Sequence, residues 1–224
     1  MKVEIGDLID AVLQNFEVDE EEIKLQDPIE LTIKIILENQ APNPKSVETA
    51  LKNLKTQFSG WEEVLNAPDW KVAIAIRDVG YSNLKTTYIK NFLRFCAQHN
   101  WNLSWMKSLS VNEAYEILSK IQKIPSKEIR YILAFGIGMP AFPTDQHMKR
   151  VIRRLGVLGN SATEEQISKY FESLNDIDHR KLYVAFRKLA DKICMARKPK
   201  CLICPVSSYC HSVSPSVEYI KVKK

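Results

Sequence analysis

The 224-residue sequence predicts an all-α protein, because helix-start signals recur along most of its length, strand signals are scarce and it holds only 7 glycines. Asp27-Pro28-Ile29-Glu30 offers an N-cap, a proline at the first helical position and a capping-box glutamate, ahead of a buried helix over Leu31 to Leu37. Asn43-Pro44 opens a helix with Val47, Ala50, Leu51, Leu54 and Phe58 on one face, which Gly60 is expected to terminate. Asp69 is expected to cap a helix through Ile76, and Ser82 one from Asn83 to about Gln98. Ser110 with Glu113 reads as a capping box before Ala114 to Ile121, and Ser126 precedes a helix through Phe135. Asp145 starts one through Leu155, Ser161 with Glu164 another, and the last long helix runs from about Asp178 to Ile193. About ten helices with short loops follow, with no repeat and no low-complexity linker.

Apolar content of 45% and charged content of 26% describe an ordinary soluble globular chain. Acidic residues from Glu4 to Glu22 interrupt any signal-peptide pattern, and no apolar run approaches the roughly 20 residues of a membrane span. The expectation is a reduced, cytoplasmic location. The net charge of +5 is unevenly spread: residues 1–30 hold ten acidic side chains against two lysines, whereas residues 181–224 hold ten Lys or Arg against Asp191 and Glu218. That asymmetry suits a polyanionic partner, and equally a solvated lysine-rich surface.

Four of the five cysteines, Cys194, Cys201, Cys204 and Cys210, are spaced C-x6-C-x2-C-x5-C. Four thiols so close together in a reducing compartment point to a metal or cluster site before a disulfide pair. Both zinc and a [4Fe–4S] cube accept four thiolates; zinc sites usually pair two short knuckles, and only Cys201 to Cys204 is one. The segment from Cys194 through Arg197-Lys198-Pro199-Lys200 to Cys210 resembles the iron–sulfur segment of the endonuclease III family. The resemblance implies a structural [4Fe–4S] cluster and, at Arg197, Lys198 and Lys200, contacts to the DNA backbone. Cys96 lies outside the pattern and reads as a core thiol.

A second segment, Ile121-Gln122-Lys123-Ile124-Pro125-Ser126-Lys127 and then Pro140-Ala141-Phe142-Pro143-Thr144-Asp145-Gln146-His147, resembles the helix-hairpin-helix and Gly/Pro–Asp region of the same superfamily. The resemblance implies Lys127 as a catalytic amine and Asp145 as a catalytic carboxylate. Breaking an N-glycosidic bond develops positive charge on the sugar, which a carboxylate stabilises, and Asp145 can cap the helix from Gln146. An uncharged lysine amine can attack C1′ and form a Schiff base; the helix N-terminus and a nearby basic face are expected to disfavour the charged form of Lys127. One departure stands out. The hairpin lacks both family glycines and Pro125 has no N–H, so phosphate anchoring there is expected to fall to Lys123.

Leu37 to Ala41 resembles the family segment whose glutamine, here Gln40, fills the gap left by an extruded base. Val79 to Lys85 resembles the segment whose wedge is here Tyr81 and whose lysine, Lys85, is expected at DNA. His147 reads as a packing or capping residue. The resemblance spans roughly residues 29–210 and implies two helical domains with a DNA-binding cleft between them. One is a helical barrel with the hairpin over 28–137; the other is discontinuous, 1–27 plus 138–224, and carries the cluster. The implied function is a glycosylase and AP lyase that removes oxidised pyrimidines from double-stranded DNA. A monofunctional mismatch, uracil or alkylated-base glycosylase is the alternative, and a non-catalytic iron–sulfur DNA-binding protein a further one. No additional domain is expected beyond Lys224, which speaks against the adenine-mismatch branch.

Overall fold

A computed structural model of the chain describes residues 5–121 and 124–213; the expected phosphate contact Lys123 lies outside the described residues. Among those described there is no strand. The chain divides into two compact units, one of Leu25–Met139 and one joining the described residues before it to those from Pro140 onward.

The chain begins with α1 (Ile5–Asn15) and α2 (Glu20–Ile23), and the Leu25–Met139 unit then starts at α3 (Pro28–Glu38). The Asp27 carboxylate accepts the Glu30 N–H at 2.7 Å and Pro28 occupies the first turn, so the expected cap forms. Ile33, Ile35, Ile36 and Leu37 are all buried, which makes α3 a central helix rather than a surface one. Its one buried hydroxyl, on Thr32, donates to Pro28 O at 2.7 Å.

Around α3 stand α4 (Pro44–Gln57), α5 (Trp61–Asn66), α6 (Asp69–Ala75), α7 (Ser82–Gln98), α8 (Val111–Ser119) and α9 (Ser126–Tyr131). Asn43 caps α4, and both halves of the Ser110–Glu113 capping box are present at α8. Beyond α9 the backbone passes into a π-helical stretch, Ile132–Ile137, where an ordinary helix was expected. There Gly136 comes so close to Pro28 that an added Cβ would lie 3.1 Å from the Pro28 Cα, so a side chain would push the segment off α3.

Three other expected caps are displaced. Gly60 precedes α5 instead of ending α4, because the Glu63 carboxylate takes the Ser59 N–H at 2.7 Å and opens a new helix. Asp69 is already inside α6, its carboxylate drawn 2.6 Å from Lys90 Nζ. Ser82 is the first residue of α7, and the preceding Tyr81 takes the left-handed conformation.

The other unit packs α1 and α2 with α10 (Gln146–Leu155), α11 (Glu164–Glu172) and α12 (His179–Lys192). Met148, Val151, Ile152 and Leu155 form the buried stripe of α10, and Leu182, Phe186 and Leu189 that of α12. Phe142 and Phe171 stack at 4.4 Å in the same core, each such buried ring contributing about 1.5–3 kcal/mol. The cap of α11 is Thr163 with Gln166, not Ser161 with Glu164: Thr163 supplies the same hydroxyl two residues later. α2 is too short to persist alone, and α12 holds its surroundings through Arg180 Nη1 to Ile23 O at 2.9 Å and Lys188 Nζ to Glu17 O at 2.6 Å. No described helix is long and apolar enough to cross a membrane.

Candidate active site and metal centre

Asp145 is the N-cap of α10, as its sequence setting predicts. Its Oδ1 accepts the Met148 N–H at 2.8 Å, and the extended backbone at Asp145 turns the carboxylate onto the first helical turn. Its Oδ2 accepts a hydrogen bond from Arg187 Nη1 on α12. Arg187 Nε also donates to Asp191 Oδ2 at 3.1 Å, and Asp191 Oδ1 lies 3.1 Å from His147 Nδ1. His147 is thus neither a core residue nor a cap but the end of a hydrogen-bonded chain that reaches Asp145 through Asp191 and Arg187.

Lys127 is the second residue of α9, in the Leu25–Met139 unit. Its Nζ lies 3.3 Å from the Glu128 carboxylate and the side chain is exposed. The ionic partner that the structure supplies is therefore acidic, where a basic setting was expected.

Gln40 and Tyr81 each take a positive φ, 55° and 49°, conformations rarely adopted outside glycine and asparagine. Gln40 is exposed just past the end of α3, and Tyr81 is 66% exposed just before α7. Lys85 corrects the expectation of a DNA contact. It is only 3% exposed, and its Nζ donates to Leu37 O and Val79 O, both at 2.8 Å. Burial lowers its pKa from the ordinary lysine value. Lys85 therefore ties the end of α3 to the turn before α7, and so holds the two segments that present Gln40 and Tyr81.

The four patterned cysteines carry no disulfide. Cys194 follows α12, Cys201 opens a 3₁₀ turn over Cys201–Ile203, and Cys204 and Cys210 flank a second over Ser207–Tyr209. All four line one cavity of about 220 Å³, with apolar walls from Val151, Leu155 and Leu189. Burial pushes the Cys204 and Cys210 thiols up, and the neighbouring sulfurs push them further. A cation in their midst would reverse both effects. Among the described residues no three Cys, His, Asp or Glu side chains converge tightly enough for a single metal ion. Four thiols around one cavity are a donor set that fits an iron–sulfur group, which thiolates hold.

Two arginines of α10, unremarked in the sequence pattern, brace this segment. Arg150 donates to Cys194 O at 2.9 Å and Ala190 O at 3.1 Å; Arg154 donates to Cys194 Sγ at 3.4 Å and Met195 O at 2.8 Å. The Arg154 carbonyl accepts the Ser212 N–H at 3.1 Å, bringing the chain after the last cysteine back to the end of α10. There His211 lies against Gly156, which has φ 76°, and a Cβ at Gly156 would collide with the ring. Arg197, Lys198 and Lys200 are all exposed on the stretch between Cys194 and Cys201. Cys96 is buried on α7, its thiol pushed up to about 12 chiefly by burial.

Comparison with known proteins identifies the family and the fold. Residues 33–176 match the HhH-GPD superfamily of base excision DNA repair proteins, and residues 194–210 match the iron–sulfur binding domain of endonuclease III. The chain is 31% identical to endonuclease III of Rickettsia conorii, over 80% of this chain and 82% of that protein. It is 33% identical to endonuclease III of Sulfolobus acidocaldarius, over 61% of this chain and 60% of that one. Its fold is similar to that of endonuclease III in a non-covalent DNA complex, with a TM-score of 0.71, 20% identity and coverage of 93% and 94% of the two chains.

Proposed function

Because this chain belongs to the endonuclease III-like HhH-GPD superfamily of base excision DNA repair glycosylases, we propose that it is a glycosylase and AP lyase acting as a monomer on oxidised pyrimidines in duplex DNA. The observation that carries this reading is the Asp145 carboxylate, anchored at the start of α10 by both oxygens. A pinned anion is what a developing positive charge on deoxyribose requires. In the proposed reaction the uncharged Lys127 amine attacks C1′ as the C1′–N bond breaks, and the base leaves with the bonding electrons and takes up a proton. Opening of the sugar ring gives a protonated Schiff base. Loss of a C2′ proton then expels the 3′ phosphate by β-elimination.

Tyr81 and Gln40 occupy exposed, sharply turned positions suited to a wedge and a gap filler, with Lys85 as the strut behind them. Arg197, Lys198 and Lys200 supply phosphate contacts, whose affinity falls with salt. The residues Cys194, Cys201, Cys204 and Cys210 would hold a [4Fe–4S] cluster, which supplies structural cross-linking of this basic segment rather than chemistry on the base. The protein acts at the nucleoid, where reduced thiols are available to such a cluster.

A monofunctional glycosylase is the second reading, favoured by the acidic neighbour Glu128 that Lys127 Nζ meets at 3.3 Å in place of the basic setting expected of a nucleophile. Borohydride reduction on duplexes with an oxidised pyrimidine or an abasic site separates the two. The first reading expects a covalent protein–DNA adduct that Lys127→Ala abolishes. Base release with intact strands and no adduct selects the second, and absence of both removes catalysis altogether. A brown protein that bleaches on iron chelation is expected of the cluster; a colourless protein with bound zinc would overturn it.

A further inference from the structure

A chain of hydrogen-bonded side chains leads away from the carboxylate at the head of α10. Asp145 leads to Arg187, Arg187 to Asp191, and Asp191 back to His147, which stands two residues after Asp145. Two of the four stand at the head of α10 and two on α12, and the Asp145–Arg187 and His147–Asp191 contacts fasten the helices to one another at this end. Asp145 and Arg187 are part-buried, whereas Asp191 and His147 are about half exposed. Burial alone would lower the Arg187 pKa, but Asp145, Asp191 and Tyr183 outweigh it and raise it, so the guanidinium stays charged.

We propose that Arg187 is a positioning residue for Asp145, holding one carboxylate oxygen from α12 while the Met148 N–H holds the other from α10. The inference rests on the reading of Asp145 as the catalytic carboxylate. A cap bonded through a single oxygen can still swing about its last side-chain torsion, which is broad for aspartate. A second anchor on another helix removes that freedom, and a guanidinium suits it because its donors are fixed in a plane.

An arginine so placed would ordinarily cancel the negative charge that the reaction needs. Here Asp191 compensates it. Asp145, Arg187 and Asp191 together sum to one negative charge, so Asp145 is fixed in direction without its field being extinguished. Asp191 therefore matters for the rate although it makes no contact with Asp145. A purely structural brace carries no such requirement.

The test uses single-turnover base release by the full-length, cluster-loaded protein. The probe is whichever duplex, carrying thymine glycol, uracil opposite guanine or 3-methyladenine, the unaltered protein cleaves fastest. Arg187→Met is expected to slow release about ten- to a hundredfold, the scale of a misaligned catalytic group, with DNA affinity unchanged within about twofold. Arg187→Lys should recover part of the loss, and added ethylguanidinium should restore Arg187→Ala. Asp191→Asn should also slow release. In the DNA-free protein, Arg187→Met should speed amide exchange at Met148 without raising it along the rest of α10.

If Asp145→Asn releases base at the original rate, the reading of Asp145 itself has failed. If that variant is dead while Arg187→Met keeps full rate and unchanged Met148 exchange, the positioning role is overturned. Loss of melting temperature together with rate, with no recovery by lysine or ethylguanidinium, would likewise overturn it in favour of a fold-holding arginine. Should none of the three duplexes be cleaved, the Met148 exchange decides alone: no change sinks the proposal.

Discussion

The two groups assigned to the chemistry are held in opposite ways. Asp145 is 24% exposed, caps a ten-residue helix and has a second partner 42 residues away in sequence. Lys127 is 55% exposed, stands in a six-residue helix and meets one carboxylate next to it in the chain. Such an exposed pair contributes about 0–1 kcal/mol and is readily exchanged for another. Under the proposed chemistry, the contrast follows from what each group must do. A carboxylate that acts through its field must be aimed before substrate arrives, because reorganising it during the reaction would raise the barrier. An amine that makes and breaks a covalent bond has to change its bonding, its charge and its position, so a light tether is an advantage.

That contrast can be broken most forcefully at Asp145. Asp145→Asn keeps the size of the side chain and removes its charge, and should slow base release by about 10²–10³-fold in a single turnover. Retention of the full rate would leave the two groups without a division of labour. Removal of the cluster comes next. Stripping iron with a chelator should raise amide exchange from Cys194 to Cys210 and at the C-terminal turn of α10, which Arg154 joins to that segment, while α3 to α8 keep their protection. Exchange rising equally in α3 would show the metal to be holding much more than its own unit.

Smaller effects sharpen the comparison. Asp145→Ala removes a helix cap, which should cost about 1 kcal/mol and lower the melting temperature by about 2–4 °C, whereas Lys127→Ala should stay within about 0.5 kcal/mol of the parent. Calorimetry on both variants reads this directly. The smallest effect lies at Glu22, whose carboxyl is held below its ordinary 4.5, first by Lys188 and then by the Asp19 N–H. A lowered carboxyl pKa contributes stability that is complete above about pH 4.5 and fades as the pH falls further. The melting-temperature difference between the parent and Glu22→Gln should therefore be small at pH 7 and shrink further as the pH falls below the ordinary carboxyl value of 4.5. A difference that grows with acid would reverse the sign.

Local signals were readable in the sequence and distant ones were not. The caps at Asp27, Asn43, Ser110, Asp145 and Asp178 all form, because each depends on an N–H two or three residues away. Thr163 displaced Ser161 because two hydroxyls competed for one helix start, and only packing selects between them. The partnership of Asp145 with Arg187 had no local signal, since it arises only when α10 and α12 lie together. Lys85 misled for a related reason. A lysine near an exposed wedge reads as a phosphate contact until the two carbonyls that it serves, Leu37 and Val79, are brought to it by folding. The cysteine spacing was legible because four ligands within 17 residues leave little for tertiary structure to decide.

The bare Cα of Gly156 gives the end of α10 an unusual vulnerability. The residue looks like an ordinary helix stop, yet the ring it admits belongs to the position immediately after the last cysteine. A change to alanine there would both strain the left-handed backbone that ends α10 and displace that ring. Under the proposed cluster assignment its signature would be pale, iron-poor protein together with a loosened end of α10.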